Sequence, residues 1–319
     1  MPMPVHLLII AVSILALWYG ANWLVAAATR IARRLGISDL IIGLTVVAIG
    51  TSAPEFAVTV SAALRGQAEI SAGNVVGSNI FNLGFILGGM AFWRAITTTR
   101  KLVLRDGLLL VGVTALIVGF LADDLLRGQS HPYLARWEGG IMLLLLLSWL
   151  TYLIYQREAP ADEVAAGEFR RRDMVQFLAG MAMIAIGGHY LVSSAIVVAT
   201  ALGISEWVVS VTVVAFGTSA PEMATSFVAL LRGQSDISIG NLIGSNVFNL
   251  LGVLGLAALL QPLEVDDPGA WLSVLLMLGM VVVVVGMMRT QWRISRREGG
   301  VLLLISIAYL LQTVLAGQG

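Results

Sequence analysis

The sequence contains no cysteine, few charged residues and only three histidines. The absence of cysteine excludes a disulfide framework and thiol chemistry. Charged residues make up 12% of the 319 residues, whereas a soluble domain has about 25%. In their place, hydrophobic residues make up 58% of the chain. This composition excludes an ordinary soluble protein and predicts an integral membrane protein.

Long apolar segments recur along the chain. A helix needs about 20 mostly apolar residues to span a bilayer. No basic segment precedes the first apolar run, so we expect that run to remain as a span and not to serve as a cleaved signal peptide. We predict an all-α integral membrane protein with ten transmembrane helices. They lie at approximately residues 5–28, 40–64, 70–92, 102–122, 137–155, 174–202, 207–231, 237–260, 270–288 and 299–315.

The basic residues are distributed unevenly between the predicted loops. Of the 19 basic residues, all except Arg65, Arg127 and Arg136 fall in loops on one side of the membrane. Cytoplasmic loops carry an excess of lysine and arginine. We therefore expect a protein of the inner cell membrane with both termini outside and with the polar segment 157–172 as a cytoplasmic linker.

The sequence also repeats itself. Residues 41–88 align with residues 208–255 without a gap, and 28 of 48 positions are identical, which indicates two homologous halves. Each half holds five predicted spans, and because five is odd, the second half enters the membrane from the opposite side. We therefore predict two inverted five-helix repeats, residues 1–156 and residues 173–319. Inverted repeats are typical of secondary transporters with a substrate site near the membrane midplane.

The hexapeptide GTSAPE occurs inside predicted spans at Gly50–Glu55 and again at Gly217–Glu222. A carboxylate at the centre of a bilayer costs several kcal/mol, so each glutamate needs a partner. No arginine or lysine lies in the core of any predicted span. The remaining possibilities are two protonated structural acids or a bound cation. Because the motif proline lacks an N–H, it also releases a backbone carbonyl that can bind a ligand.

Hydroxyl and amide side chains accompany both glutamates. Thr51 and Ser52 lie on the same helical face as Glu55, and the second motif repeats this pattern. Two downstream rows with four-residue spacing are Asn74, Ser78 and Asn82, and Asn241, Ser245 and Asn249. Oxygen ligands without histidine or cysteine are typical of sites for Na⁺ or Ca²⁺. The candidate ligands are Thr51, Ser52, Glu55, Ser78, Asn82, Thr218, Ser219, Glu222, Ser245 and Asn249.

Other residues of these spans favour helix packing. Asn79 and Asn246 point away from the ligand rows, so we interpret them as hydrogen-bonding residues between helices. A four-residue spacing of glycines permits close helix contact. This spacing occurs at Gly73/Gly77 and Gly240/Gly244.

The doubled GTSAPE, followed by GNVVGSNIFN and GNLIGSNVFN, resembles the two α-repeats of the calcium/cation antiporter superfamily. The overall pattern is similar to the prokaryotic ten-span type of its sodium/calcium exchanger family. This resemblance implies that Glu55 and Glu222 are the central calcium ligands, and that spans one and six slide to alternate access. Some relatives, including potassium-dependent ones, have aspartate where this chain has Asn249. The resemblance implies sodium ligands at the side chains of Thr51, Ser52, Ser78, Asn82, Thr218, Ser219 and Ser245 and at the backbone carbonyls of Ala48 and Ala215.

Together, these patterns favour a secondary active antiporter that exchanges Ca²⁺ for Na⁺ by alternating access. A Ca²⁺/H⁺ antiporter with the same two glutamates is the alternative, although the dense hydroxyls favour sodium. A passive cation channel is disfavoured by the inverted halves, and an intramembrane serine protease is disfavoured because no histidine accompanies both motif serines. We expect Ca²⁺, Na⁺ or H⁺ and the lipid bilayer as partners, with no cofactor, nucleic acid or enzymatic activity. The oligomeric state stays open.

Overall fold

The protein is mostly α-helical in the computed structural model. The structure describes residues 3–126, 133–156, 171–202, 215–264 and 268–316. The α-helices of these residues are α1 (Met3–Leu35), α2 (Asp39–Ile42), α3 (Ala48–Thr51), α4 (Ala53–Leu64), α5 (Ala68–Ile80), α6 (Gly88–Trp93), α7 (Leu108–Leu126), α8 (Arg136–Tyr155), α9 (Arg171–Ala201), α10 (Ala215–Thr218), α11 (Ala220–Leu231), α12 (Ser235–Phe248), α13 (Gly255–Leu260), α14 (Pro268–Arg289) and α15 (Arg296–Ala316).

Several π-helical segments interrupt the α-helices. Among the described residues they are Gly43–Val47, Phe81–Leu87, Leu102–Gly107 and Asn249–Leu254, and a short 3₁₀ turn covers Thr290–Trp292. π-Helical turns are rare in proteins, but those that occur often lie at functional sites. Two of these segments contain Asn82 and Asn249, which occupy equivalent positions in the sequence repeat.

Seven helical segments within the described ranges are long and apolar enough to cross a membrane. They are Met3–Leu35, Ala68–Trp93, Leu102–Ala122, Arg136–Tyr155, Arg171–Ala201, Ser235–Leu260 and Ala270–Trp292. A bent pair, Asp39–Thr51 and Ala53–Leu64, makes an eighth if it is counted as one span. The predicted spans at 207–231 and 299–315 are not among them, so the count of ten stays a prediction. Residues 207–214 and most of the predicted linker, residues 157–170, lie outside the described residues.

One compact unit consists of residues 1–54, 157–242 and 303–319. Its largest contact joins the two long helices α1 and α9, and α11 also packs against α1. The α1–α9 contact is tight because glycines lie at the crossing. A Cβ atom added to Gly180 would lie 2.7 Å from the backbone nitrogen of Leu24. Small residues permit this close approach of two helix backbones in a membrane.

An ion pair also joins α1 to α9 within this unit. Arg30 Nε lies 2.8 Å from Asp173 Oδ1, and Arg34 Nη1 contacts Asp173 Oδ2. The Asp173 side chain is only 7% exposed, so its charge depends on these partners. The sequence repeat gave no signal for this contact, because its residues lie outside the repeated segments.

The second compact unit consists of residues 55–156 and 243–302. In this unit, α8 packs against α13, and α14 packs against α5 and α7. Short antiparallel strands join its loops, with β1 (Ile96–Thr97) paired to β4 (Arg293–Ile294), and β2 (Tyr133–Leu134) paired to β3 (Leu263–Glu264). Each unit therefore combines chain segments from both halves of the sequence.

Candidate cation site

Both GTSAPE motifs interrupt their helices at the serine. Ser52 separates α3 from α4 with φ −79° and ψ 9°, and Ser219 separates α10 from α11 with φ −88° and ψ 5°. These angles lie in the sparsely populated region between helix and strand, which is common for active-site residues. Two motifs 167 positions apart therefore adopt the same break in the backbone.

The break places the motif glutamates at helix starts. Glu55 lies in the first turn of α4, and Glu222 lies in the first turn of α11. The partial positive charge of a helix N-terminus stabilises a carboxylate there. Proline is also tolerated in a first turn, where its missing N–H has no helical partner to lose. Both glutamates are fully buried, so each carboxyl lies away from bulk water.

The hydroxyl of the first motif binds the carboxylate of the second. Ser52 Oγ donates a hydrogen bond to Glu222 Oε1 at 2.8 Å, and both side chains are fully buried. A hydrogen bond to an ionised carboxylate is about twice as strong as one between neutral groups. Two motif residues 170 positions apart are therefore direct neighbours within the first compact unit.

Thr51 also makes a hydrogen bond between the two repeats. Its Oγ1 atom lies 3.2 Å from the carbonyl oxygen of Ala48 and 3.1 Å from Asn241 Oδ1. Asn241 in turn donates from Nδ2 to Ser226 Oγ at 2.9 Å. Its amide is therefore occupied by helix-to-helix hydrogen bonds.

Equivalent residues of the two repeats make equivalent contacts. Asn74 Nδ2 donates to Thr59 Oγ1 at 3.0 Å, as Asn241 donates to Ser226. Another pair is Ser71 Oγ to the carbonyl oxygen of Thr59 at 3.0 Å, and Ser238 Oγ to that of Ser226 at 2.8 Å. These bonds fix the helix that starts at each motif against the helix that follows it. Sequence reasoning missed them, although the matching spacings in both repeats carried the signal.

Three candidate ligands carry buried polar atoms without a hydrogen bond. Within the described part of the chain, Ser78 Oγ, Asn249 Oδ1 and both amide atoms of Asn82 have no hydrogen-bond partner. All three residues are fully buried. A buried polar atom that lacks a partner costs about 1–3 kcal/mol. Their oxygens are therefore well suited to a bound cation, which would supply the missing interaction.

The remaining candidate ligands are also buried. Ala48 lies at the start of α3, and Ser245 lies in α12 with no exposed surface. Thr218 and Ser219 flank the second break and are buried as well. Ala215 is the first residue of α10. Every candidate whose side chain the structure describes is thus protected from bulk water.

No larger acidic cluster is present among the described residues. In the described ranges, no group of three or more histidine, cysteine, aspartate or glutamate side chains could hold a metal ion. The other candidate ligands beside each motif glutamate are therefore hydroxyl, amide and carbonyl oxygens. Such neutral oxygen ligands are those preferred by Na⁺ and Ca²⁺.

Buried acids, hydroxyls and amides on apolar helices are characteristic of membrane proteins that transport cations. The description of the matching family is "Sodium/calcium exchanger protein", and its model covers residues 5–155 and 173–315. The chain belongs to the sodium/calcium exchanger family.

Known proteins resemble the chain over most of its length. The sodium/calcium exchanger MaX1 of Methanosarcina acetivorans is 30% identical and covers 96% of this chain and 98% of its own. The inner membrane protein YrbG of Escherichia coli is 36% identical over 81% of each chain. A structure of the sodium-calcium exchanger NCX_Mj, soaked with zero Na⁺ and Ca²⁺, has a TM-score of 0.84 and 26% identity, with 98% of this chain and 99% of that chain covered. The helical membrane fold is therefore that of NCX_Mj.

Proposed function

We propose that this protein is a secondary active antiporter that exchanges Ca²⁺ for Na⁺ across the inner membrane by alternating access. The observation that carries the proposal is the pair of matching helix breaks, each of which places a buried glutamate in a first turn. A buried acid on an apolar helix indicates a cation pathway. Membership of the exchanger family and the likeness to MaX1 agree with this function.

In this proposal, Glu55 and Glu222 both bind the transported Ca²⁺. Two carboxylates supply two negative charges, which one Ca²⁺ or two Na⁺ neutralise. Ca²⁺ and Na⁺ then compete for the same oxygens, and only the loaded protein changes its access. The additional proposed ligands are the side chains of Thr51, Ser52, Ser78, Asn82, Thr218, Ser219, Ser245 and Asn249 and the carbonyls of Ala48 and Ala215. The unpartnered oxygens of Ser78 and Asn249 support this set.

We also propose ten transmembrane helices in two inverted five-helix repeats, with both termini outside and residues 157–172 as a cytoplasmic linker. The identity of 28 of 48 aligned positions supports the repeat. The equivalent bonds of Asn74 to Thr59 and of Asn241 to Ser226 support it independently. In an inverted repeat, the two halves can exchange their conformations, and this exchange converts a site open to one side of the membrane into a site open to the other side.

Transport into proteoliposomes tests the coupling ion. Vesicles loaded with Na⁺ and diluted into Na⁺-free buffer with ⁴⁵Ca²⁺ should accumulate calcium, and vesicles without a Na⁺ gradient should not. A K⁺ gradient with valinomycin clamps the membrane potential in every sample. Uptake that follows an imposed pH gradient and ignores Na⁺ would instead establish the Ca²⁺/H⁺ alternative.

A further inference from the structure

A chain of amide hydrogen bonds runs through Asn79 inside the second compact unit. Asn79 lies in α5, is buried, and donates from Nδ2 to the backbone carbonyl oxygen of Asn246 at 3.3 Å. Its Oδ1 atom accepts a hydrogen bond from Asn249 Nδ2, also at 3.3 Å. Both polar ends of the Asn79 amide are therefore occupied.

The backbone carbonyl oxygen of Asn246 fixes the donor–acceptor direction of these hydrogen bonds. A backbone carbonyl only accepts hydrogen bonds, so Asn79 must turn its NH₂ group towards Asn246. The Asn79 carbonyl oxygen then faces Asn249, which must donate a hydrogen bond to it from its own NH₂ group. Rotation of either amide by half a turn would bring two acceptors or two donors into contact. The Asn249 Oδ1 atom consequently points away from Asn79.

That oxygen is the atom that lacks a partner. Asn249 is fully buried, and its Oδ1 has no hydrogen bond among the described residues. Asn249 also begins the π-helical segment Asn249–Leu254, a type of turn that is frequent at functional sites. An amide whose NH₂ group is held and whose oxygen is left over is oriented to bind a cation.

The first repeat lacks this arrangement. Asn82 is the equivalent of Asn249, and neither of its amide atoms has a hydrogen-bond partner within the described ranges. No hydrogen bond among the described residues fixes the orientation of the Asn82 amide, whereas hydrogen bonds hold the Asn249 amide in one orientation. The two repeats differ at this pair even though the residue types are the same.

We propose that Asn79 is a positioning residue, which orients the amide of Asn249 so that its oxygen faces the transported cation. This inference rests on the proposed function. Asn79 contributes no ligand itself and acts only through Asn249. Residues that orient a metal ligand typically change metal affinity by about 10- to 100-fold when they are replaced. The proposal thus assigns a transport role to a residue that the sequence pattern assigns only to helix packing.

The test is a double-mutant cycle measured by Na⁺-driven ⁴⁵Ca²⁺ uptake into proteoliposomes. We expect Asn79→Leu to raise the apparent KM for Ca²⁺ about tenfold, with a smaller change in the maximal rate. In an Asn249→Ala background, which has no amide to orient, the same change should have almost no further effect on KM. Equal effects in both backgrounds would mean that Asn79 is only a packing residue and would overturn the proposal.

Two further variants keep the test decisive if Asn79→Leu fails to fold. Asn79→Asp keeps the shape, and its buried carboxyl group in the protonated form donates to the Asn246 carbonyl and accepts from Asn249 as the amide does, so its KM should lie closer to that of the wild type than to that of Asn79→Leu. Asn246→Leu is the matched control, because it removes the equivalent side chain of the other repeat but keeps the carbonyl that binds Asn79. Its effect should be the same with and without Asn249. A tenfold KM rise in Asn79→Asp would contradict the proposal, and wild-type vesicles without Na⁺-driven uptake would contradict the proposed function instead.

Discussion

Glu222 is a carboxylate buried without exposed surface on an apolar helix, and Ser52 donates one hydrogen bond to it. One hydroxyl does not offset the loss of hydration, because the effective penalty for a buried ion amounts to several kcal/mol. The helix N-terminus adds about 0.3–1 kcal/mol, up to about 2 kcal/mol when it is partly buried. Neutralisation of the carboxylate by a proton or a bound cation removes this penalty, which is the physical basis of the proposed exchange.

The first prediction concerns the charge of the two motif acids. Glu55→Gln and Glu222→Gln each keep the side-chain shape and remove one negative charge. We expect each variant to lower Na⁺-driven ⁴⁵Ca²⁺ uptake by about 100-fold or more, because removal of one partner from a buried charge interaction costs about 3–5 kcal/mol. Glu69→Gln is the control, since Glu69 is an exposed acid at the start of α5. Uptake near the wild-type rate in either motif variant would contradict the proposed calcium ligands.

The second prediction concerns the hydroxyl that binds Glu222. Ser52→Ala removes a hydrogen bond to a charged group, which contributes about 1.5–3 kcal/mol. We expect the apparent KM for Ca²⁺ to rise about tenfold or more, measured in the same vesicles. Thr114→Ala removes a buried hydroxyl of α7 that, within the described residues, bonds the carbonyl oxygen of Leu110 in its own helix. An unchanged KM in Ser52→Ala, or an equal rise in Thr114→Ala, would argue against a role for Ser52 in cation binding.

At the scale of residues, the helical pattern predicts which side chains share a face but not what each one contacts. Asn74 and Asn241 stand in the same rows as the candidate ligands, yet their amides bind Thr59 and Ser226. The contact of a side chain depends on the rotation of its helix against its neighbour. A spacing of four residues does not contain this information. The hydrogen bonds of Asn79 could not be predicted for the same reason.

At the scale of helices, the described residues test the glycine spacing of only one repeat. A Cβ atom added to Gly240 would lie 2.9 Å from the carbonyl oxygen of Leu40, which confirms a close contact. No described atom lies within 4 Å of such an atom at Gly73 or Gly77, but residues 207–211, the equivalents of the segment that Gly240 contacts, lie outside the described residues. Close contact at that pair therefore stays a prediction. The spacing permits close approach, but the position of the neighbouring helix decides whether it occurs. The π-helical segments likewise leave no mark on the hydrophobic pattern.

The third prediction concerns the contact between α1 and α9. Gly180→Ala would place a methyl group 2.7 Å from the backbone nitrogen of Leu24, and a backbone cannot shift as a flexible side chain can. We expect a loss of about 1–3 kcal/mol of stability, seen as a lower Tm in detergent. Gly112→Ala in α7 is the matched control, because the added methyl group meets no described atom within 4 Å. That change should leave Tm unchanged or raise it slightly, since alanine favours helices more than glycine. A Gly180→Ala variant as stable as Gly112→Ala would exclude a tight α1–α9 contact.

At the scale of the whole molecule, the two compact units do not coincide with the two halves of the sequence. The unit of residues 55–156 and 243–302 takes helices from both predicted repeats, and so does the other. The boundary of each unit crosses a repeat near the GTSAPE motif and within α12. Sequence identity reveals the duplication, because it compares residues along the chain. It does not reveal which helices pack together, because that depends on contacts between the halves.

The inverted repeat makes opposite predictions for two equivalent arginines. Arg65 and Arg232 occupy the same position of the repeat, are both exposed, and each precede a glycine with positive φ, at 72° and 73°. The proposed inverted topology would place Arg65 outside the cell and Arg232 in the cytoplasm. Because the chain contains no cysteine, Arg65→Cys and Arg232→Cys each introduce a unique thiol.

A membrane-impermeant maleimide reads out the side of each thiol. In intact spheroplasts, it should label Arg65→Cys, whereas Arg232→Cys should be labelled only after the membrane is permeabilised. The cysteine-free wild type is the background control, and Na⁺-driven ⁴⁵Ca²⁺ uptake shows that each variant is folded. Labelling of both thiols from the same side would rule out the inverted repeat. The two halves would then enter the membrane in the same direction, and the proposed exchange of access between mirrored halves would lose its structural basis.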